Sequence, residues 1–245
     1  MTERARVAVV TGAASGIGAA TTQQLLEDGF QVAAVDLGPH ESPVGHEPHL
    51  TVQADVGDED QVEAAFASVH DAFGHVDVLV NNAGVTGSRQ ATVCHETSLS
   101  DWEHVMGVNV RGVFLCTRAA LPNMLRRKSG HIITLASIAG IVAFPGRCAY
   151  TTSKGAALMF TKSLAVDYAG QGVRANAVCP GMVATPMTRW RLDVPELREA
   201  VERNIPLGRV ATPEEVADCV SVLAGDRLAY LNGHALALDG GWTAL

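Results

Sequence analysis

The chain has 245 residues, 47% of them hydrophobic, which suits one α/β domain with a large buried core. Its formal net charge of -8 argues against a nucleic-acid partner, because phosphate binding needs clustered Lys and Arg. Charged residues make up 18% of the chain, below the roughly 25% of an average protein, which leaves surface for buried subunit contacts. Short apolar runs alternate with longer amphipathic ones. Residues 7–10 are the first predicted strand; Arg4 and Arg6 ahead of them mimic a leader, but the run is short and is cut by Thr11-Gly12. A glycine-rich turn and a helix ending near Gly29 follow, then strands at 32–35 and 50–54. Val62, Ala65, Phe66 and Val69 share one face of a predicted helix over 58–73, which leads to a strand at 76–80. Ser98 opens a long helix that runs to about Arg127, with Pro122 placed to kink it. A strand at 132–135, a helix at 150–168 and a strand at 173–178 come next. Thr212-Pro213-Glu214-Glu215 reads as an N-cap, a proline at the first helical position and an acidic first turn, and 234–238 as the last strand.

This alternation predicts a doubly wound Rossmann-type α/β fold: a mostly parallel, seven-stranded sheet with helices on both faces, in a single domain over 1–245. No apolar stretch reaches the ~18 residues of a membrane helix, so no membrane partner is expected. Cys94, Cys116, Cys148, Cys179 and Cys219 are odd in number and form no CxxC, which predicts reduced thiols in a cytoplasmic protein. The basic run Arg126-Arg127-Lys128 reads as a solvated helix end. Two stretches break the rhythm. Residues 38–49 are rich in Pro, Gly and His where a crossover helix is expected; the spacing of His40, His46 and His49 fits no standard zinc pattern, so no metal is expected. Residues 185–206 follow the sixth strand at the ligand edge of the sheet and are a candidate substrate lid.

Thr11-Gly12-Ala13-Ala14-Ser15-Gly16-Ile17-Gly18 joins the first strand to the first helix. Glycines there let the backbone approach a pyrophosphate, and the helix N-terminus supplies N–H donors. Asp36, followed by Leu37, ends the second strand 18 residues after Gly18. A carboxylate there accepts hydrogen bonds from ribose hydroxyls and repels a 2′-phosphate, which predicts NAD rather than NADP. No Lys or Arg in the glycine turn or directly after Asp36 offers such a phosphate a partner. Asp55-Val56 and Asn82-Ala83-Gly84 close the third and fourth strands on the same edge.

Tyr150 and Lys154 lie four apart on one helix face. Moving a hydride from an alcohol requires removal of the hydroxyl proton, and a lysine ammonium favours the phenolate, lowering the tyrosine pKa from its ordinary value of ~10. Tyr150 is therefore the predicted acid/base. Ser137, ending the fifth strand, is placed to hold the substrate oxygen, and no Gly-x-Ser-x-Gly elbow marks it as a nucleophile.

Together these residues resemble the short-chain dehydrogenase/reductase family over essentially the whole chain. The resemblance implies a cofactor turn at Gly12, Ser15, Gly16, Ile17 and Gly18, an NAD-selecting Asp36, and an adenine contact at Asp55-Val56. It also implies a cofactor-lining segment at 82–84 and a nicotinamide-side loop carrying Pro180, Gly181, Val183 and Thr185. Asn109 matches an asparagine that kinks a helix and holds a proton-relay water, completing a catalytic set with Ser137, Tyr150 and Lys154. Lys154 is implied to bond the nicotinamide ribose as well. The implied assembly is a homotetramer built on the helices at 98–127 and 150–168, with a dimer as second choice.

An apolar substrate wall is expected from Phe144, Cys148, Met182, Met187 and Trp190, suiting a secondary alcohol or ketone. Arg147, Arg189 or Arg191 would hold a carboxylate or phosphate on it, unless all three are surface residues. Enoyl reductases of this superfamily have wider Tyr–Lys spacing than is found here. The 3-oxoacyl-thioester reductases share Ile205-Pro206-Leu207-Gly208-Arg209 but generally prefer NADP, which Asp36 disfavours. A non-catalytic NAD-binding sensor or scaffold is the rival of another class; it has no need of Asn109, Ser137, Tyr150 and Lys154, all of which are present.

Overall fold

Runs of valine, alanine and isoleucine buried on both faces pair into one sheet. The computed structural model describes residues 4–39, 48–88 and 93–244. Its strands are β1 (Val7–Thr11), β2 (Gln31–Asp36), β3 (Leu50–Gln53), β4 (Val78–Asn81), β5 (Gly130–Leu135), β6 (Val173–Pro180) and β7 (Ala235–Leu238). They lie in the order β3-β2-β1-β4-β5-β6-β7, and every pairing is parallel. The fold is the doubly wound α/β architecture expected. The strand order reverses between β1 and β4, which opens a crevice at their C-terminal ends.

The helices are α1 (Gly16–Glu27), α2 (Glu59–Phe73), α3 (Leu99–Met106), α4 (Val113–Arg127), α5 (Cys148–Tyr168), α6 (Arg189–Leu192), α7 (Pro195–Glu202) and α8 (Pro213–Ala224). Successive strand residues face opposite layers. Val9 packs in one core with Val62 and Phe66 of α2, Met124 of α4 and Leu164 of α5. Its neighbours Ala8 and Val10 pack in the other with Leu25 of α1 and Val216 and Val220 of α8. Asp58 caps α2 by accepting from the Gln61 N–H, and Gly74 ends it at φ 75. Thr212 and Glu215 form the expected capping box on α8.

The long helix predicted over 98–127 is divided, and not where proline suggested. Pro122 lies inside a continuous α4, whereas residues Gly107–Gly112 form a π-helical segment between α3 and α4. Close packing accompanies that break: a Cβ on Gly112 would fall 2.7 Å from Val56 Cγ2, and the Asn109 side chain bonds away from the helix. Arg127 is also more than a solvated helix end, because it bonds the Asp77 carboxylate at 2.5 Å and the Val76 carbonyl at 3.2 Å.

His49 Nδ1 accepts from the Val32 N–H at 3.4 Å, while His40 and His46 lie outside the described residues. Among the described residues no His, Cys, Asp or Glu side chains group to hold a metal, and no helix is long and apolar enough to cross a membrane. The five cysteines are free thiols.

Candidate active site

The C-terminal ends of β1 and β4 are locked together by one hydroxyl. Thr11 Oγ1 accepts from the N–H groups of Asn82 and Ala83, each at 3.1 Å. Asn82 Nδ2 donates to the Thr11 and Gly12 carbonyls, both at 2.9 Å. The glycine turn can lie this close only without side chains: a Cβ on Gly18 would stand 1.9 Å from the Gly12 carbonyl oxygen, and one on Gly12 2.7 Å from Ala83 Cα. Gly12 and Gly16 also adopt φ 64 and φ 54. Ser15 begins α1 without a side-chain cap, which leaves the first-turn N–H groups facing the crevice.

A cavity of about 370 Å³ runs from this turn along the sheet edge. Gly12, Ser15, Gly16 and Ile17 border it at the turn; Asp36, Leu37, Asp55 and Val56 at the ends of β2 and β3. Asn82, Ala83 and Gly84 continue it past β4 to Tyr150, Lys154, Pro180 and Thr185. Uncapped helix donors, a carboxylate acceptor and a tyrosine along one cleft suit the phosphates, ribose and nicotinamide of a dinucleotide. Asp36 accepts from the Ala14 N–H at 2.8 Å and the Gly38 N–H at 3.0 Å, so its charge is also tied to the turn. Asp55 accepts from the Gly57 N–H at 2.8 Å. Gly18 lies beneath the turn. The Val183 side chain packs in the core beside α8, so only its backbone is available to a ligand.

At the other end Ser137 follows β5, and its Oγ accepts from the Ala139 N–H at 3.1 Å. The short turn after it packs tightly on α5: a Cβ on Gly140 would stand 2.6 Å from the Lys154 carbonyl. The Ser137 hydroxyl lies close enough to the Tyr150 phenol to favour its ionised form. Lys154 Nζ lies 5.7 Å from the Tyr150 ring centroid and donates to the Leu135 carbonyl at 2.8 Å. Burial brings the lysine down to about 8.

The tyrosine differs from expectation. Burial holds its pKa above the ordinary value; the Ser137 hydrogen bond and then the Arg147 charge oppose that rise. Arg147 is thus a further cation acting on the phenol, and desolvation, which a sequence does not display, outweighs it.

Asn109, 1% exposed, sits in the π segment. Its Oδ1 accepts from the Val85 N–H at 2.8 Å, and its Nδ2 donates to the Val85 carbonyl at 2.8 Å and to Ser153 Oγ at 2.9 Å. Ser153 donates on to the Tyr150 carbonyl at 2.7 Å. The sequence reading missed Ser153, which looks like helix filler between Tyr150 and Lys154.

Tyr150 and Met187 also border a second cavity, of about 640 Å³. Ser137, Phe144, Met182 and Trp190 line it, and so do Arg147 and Arg191 but not Arg189. Arg147 lies over the Trp190 ring, 5.9 Å from its centroid, and donates to the Ser88 carbonyl at 3.0 Å. Cys148 requires a correction. Its Sγ lies 3.3 Å from Thr97 Oγ1, and it borders a neighbouring cavity of about 270 Å³ with Cys94, because the first turn of α5 points it away from Tyr150. Thr86, Asn204 and Trp242 line the second cavity without having been singled out.

A family model described as "Enoyl-(Acyl carrier protein) reductase" matches residues 12–243. A 2-(R)-hydroxypropyl-CoM dehydrogenase of Xanthobacter autotrophicus is 53% identical over 248 residues, covering 98% of this chain and 99% of that protein. The 3-oxoacyl-[acyl-carrier-protein] reductase FabG of Thermotoga maritima is 39% identical, with 96% and 97% covered. Among solved structures, gox2181 superposes with a TM-score of 0.93 at 33% identity, covering 99% of this chain and 97% of the other. A 3-ketoacyl-(acyl-carrier-protein) reductase from Brucella melitensis complexed with NADH gives 0.88 at 30% identity, with 97% and 98% covered. ElxO with NADP bound gives 0.88 at 27%, with 98% and 100% covered.

Proposed function

The chain belongs to the short-chain dehydrogenase/reductase family, and on that premise we propose that it is an NAD(H)-dependent dehydrogenase interconverting a secondary alcohol and its ketone, with an acidic group on the substrate. One observation carries this reading: Tyr150 borders both the dinucleotide-shaped cleft and a separate cavity that holds Arg147 and Arg191. The cofactor, when bound, accepts or supplies the hydride. In reduction the Tyr150 hydroxyl donates its proton to the ketone oxygen, while Ser137 hydrogen-bonds the same oxygen and holds it in place. In oxidation the phenolate takes the alcohol proton. Lys154 and Asn109 hold Tyr150 and the surrounding backbone in register.

The two arginines match an anionic substituent, and the hydroxypropyl-CoM in the name of the 53%-identical relative is a secondary alcohol with a sulfonate at its far end. A 2-hydroxyalkyl thioether sulfonate is therefore the substrate class proposed. The stretch 185–206 carries α6 and α7, contributes Met187, Trp190 and Arg191 to the cavity, and acts as its lid. Asp36 supports NAD as the cofactor. Reduction of 3-oxoacyl thioesters is the second reading, favoured by likeness to FabG.

A homotetramer is proposed from the apolar face of α3, α4 and α5. There Leu99, Phe114, Met159 and Val166 are exposed. The free thiols, one of them the exposed Cys94, suit the reducing cytoplasm.

The test is NAD+ reduction over paired neutral and sulfonate-bearing secondary alcohols. Turnover of the sulfonate members at much lower KM supports the reading. Equal turnover of both, or activity on 3-oxoacyl thioesters alone, overturns it.

A further inference from the structure

The second cavity has two chemically different linings. Arg147 and Arg191 are cationic, whereas Phe144, Met182 and Trp242 are apolar or aromatic. Trp242 meets Phe144 edge to face, with ring centroids 5.6 Å apart at 89°. Together with Met182 it also packs on the buried cluster of Leu192, Val201, Ile205 and Val210, formed by α6, α7 and the turn after them. Trp242 thus joins the wall beside Ser137 to the segment carrying Trp190 and Arg191.

The indole is placed by its neighbours. Asp239 Oδ1 accepts from the Gly241 N–H at 3.0 Å, and Oδ2 accepts from the Thr243 N–H at 2.8 Å and the Thr243 hydroxyl at 2.6 Å. Trp242 lies between two residues so tied, and its backbone N–H donates to the Asp239 carbonyl at 3.2 Å. The turn is clasped on both flanks. Gly181 N–H donates to the Leu238 carbonyl at 3.0 Å, and Leu207 N–H donates to the Gly240 carbonyl at 3.1 Å. Gly240 stands at φ 63, where a Cβ would fall 2.6 Å from Ile205 Cγ2.

A secondary alcohol carries two unlike substituents on its carbinol carbon. With the oxygen at Ser137 and Tyr150 and the acidic arm drawn to the arginines, the remaining alkyl group is left to the aromatic wall. We propose that Trp242 sets the size of the alkyl substituent the site admits, and that Asp239 is the positioning residue that holds the indole there. This rests on the acidic secondary-alcohol reading given above.

The experiment measures kcat/KM of the full chain on two series lengthened at the carbinol carbon from methyl to ethyl to propyl: 2-hydroxyalkyl thioether sulfonates and the neutral 2-hydroxyalkyl ethyl thioethers that lack only the sulfonate. Wild type is expected to lose about tenfold or more per added methylene, the discrimination an apolar pocket achieves. Trp242→Ala should cut that loss to about threefold or less, with the propyl substrate gaining in absolute terms. Asp239→Asn should move the ratio in the same direction by raising KM for the methyl substrate more than it lowers kcat, and Trp242→Phe should fall between. Thermal unfolding and NADH fluorescence confirm folded variants; should Trp242→Ala fail to fold, Trp242→Phe and Asp239→Asn decide. A folded variant set with the wild-type length ratio, or one with uniform loss along the series, overturns the proposal. Failure of wild type to prefer the sulfonate series overturns the acidic-arm reading instead, and the neutral series still decides Trp242.

Discussion

Asn109 and Ser153 are joined by a 2.9 Å hydrogen bond, and Ser153 passes it on to the Tyr150 carbonyl. Because Asn109 also grips Val85 through its N–H and its carbonyl, one buried chain of bonds links the loop after β4, the π segment and the helix bearing Tyr150. Both hydrogens of Nδ2 are used in it. Ser153→Ala strands one of them in a buried site. The expected cost is about 1–3 kcal/mol, and each kcal/mol lowers Tm by about 2–4 °C in a chain of this size. Thermal unfolding checks this, and an unchanged Tm would show that the serine is dispensable.

Tyr150→Phe removes the hydroxyl that gives and takes the proton while leaving the ring. kcat is expected to fall by about 10²–10⁴-fold, the usual weight of a positioned acid/base. NADH affinity by fluorescence titration should be retained. Near-normal turnover would remove Tyr150 from the chemistry, whereas lost NADH binding would mean that the hydroxyl also helps to hold the cofactor.

The pH dependence follows from the cations around that phenol. Burial raises Tyr150, and Arg147 opposes the rise. Oxidation needs the phenolate, so its rate should climb with pH on the alkaline side, and reduction should decline over the same range. Lys154, brought down to about 8 by burial, loses its charge as pH passes that value. Arg147→Gln withdraws the opposing cation, so the alkaline limb of kcat/KM for oxidation should move to higher pH; Arg147→Lys should leave it near its wild-type place. If Gln and Lys variants give superimposable profiles, the charge of Arg147 does not act on Tyr150.

The parts legible in the sequence are those fixed by spacing. Asp36 stands a set distance after Gly18, and Tyr150 and Lys154 share a helix face, so their meeting along one cleft follows from strand–helix alternation. What escaped depends on packing at a distance. The break at Gly107–Gly112 leaves no mark on the helical pattern and is implied only by the family resemblance at Asn109, while Pro122, the visible breaker, is tolerated inside α4. Cys148 is only two residues from Tyr150, but the first turn of α5 carries it to Thr97. The raised phenol of Tyr150 reflects desolvation, and Trp242 reaches the second cavity because a turn anchored on Asp239 folds it back against Phe144.

Asp36 carries two functions that one substitution confounds. It presents a carboxylate at the end of β2, and it accepts from the N–H groups of Ala14 and Gly38. Asp36→Ala removes both, whereas Asp36→Asn removes the charge and keeps an acceptor. If charge repulsion selects NAD, the NAD-to-NADP ratio of kcat/KM should narrow in both variants. If anchoring of the turn dominates, the ratio should stay unchanged in both variants, with Asn, which keeps one of the two acceptor oxygens, falling between wild type and Ala in its loss of both cofactors. Steady-state kinetics with each cofactor separates these outcomes.

Gly18 sets helix propensity against space. Alanine at a helical position ordinarily gains about 1 kcal/mol over glycine. Here the added Cβ would stand 1.9 Å from the Gly12 carbonyl oxygen and 2.5 Å from Asn82 Nδ2. Backbone cannot yield that far without pulling the turn from Asn82, so the clash is expected to win by about 1–3 kcal/mol, as overpacking generally does. Gly18→Ala should therefore lower Tm and weaken NADH binding, while Gly170→Ala, where a Cβ meets nothing within 4 Å, should do neither. Differential scanning calorimetry with and without NADH makes the comparison. A Gly18→Ala protein as stable as Gly170→Ala, with NADH bound normally, would show that the turn does not depend on its close approach to β4.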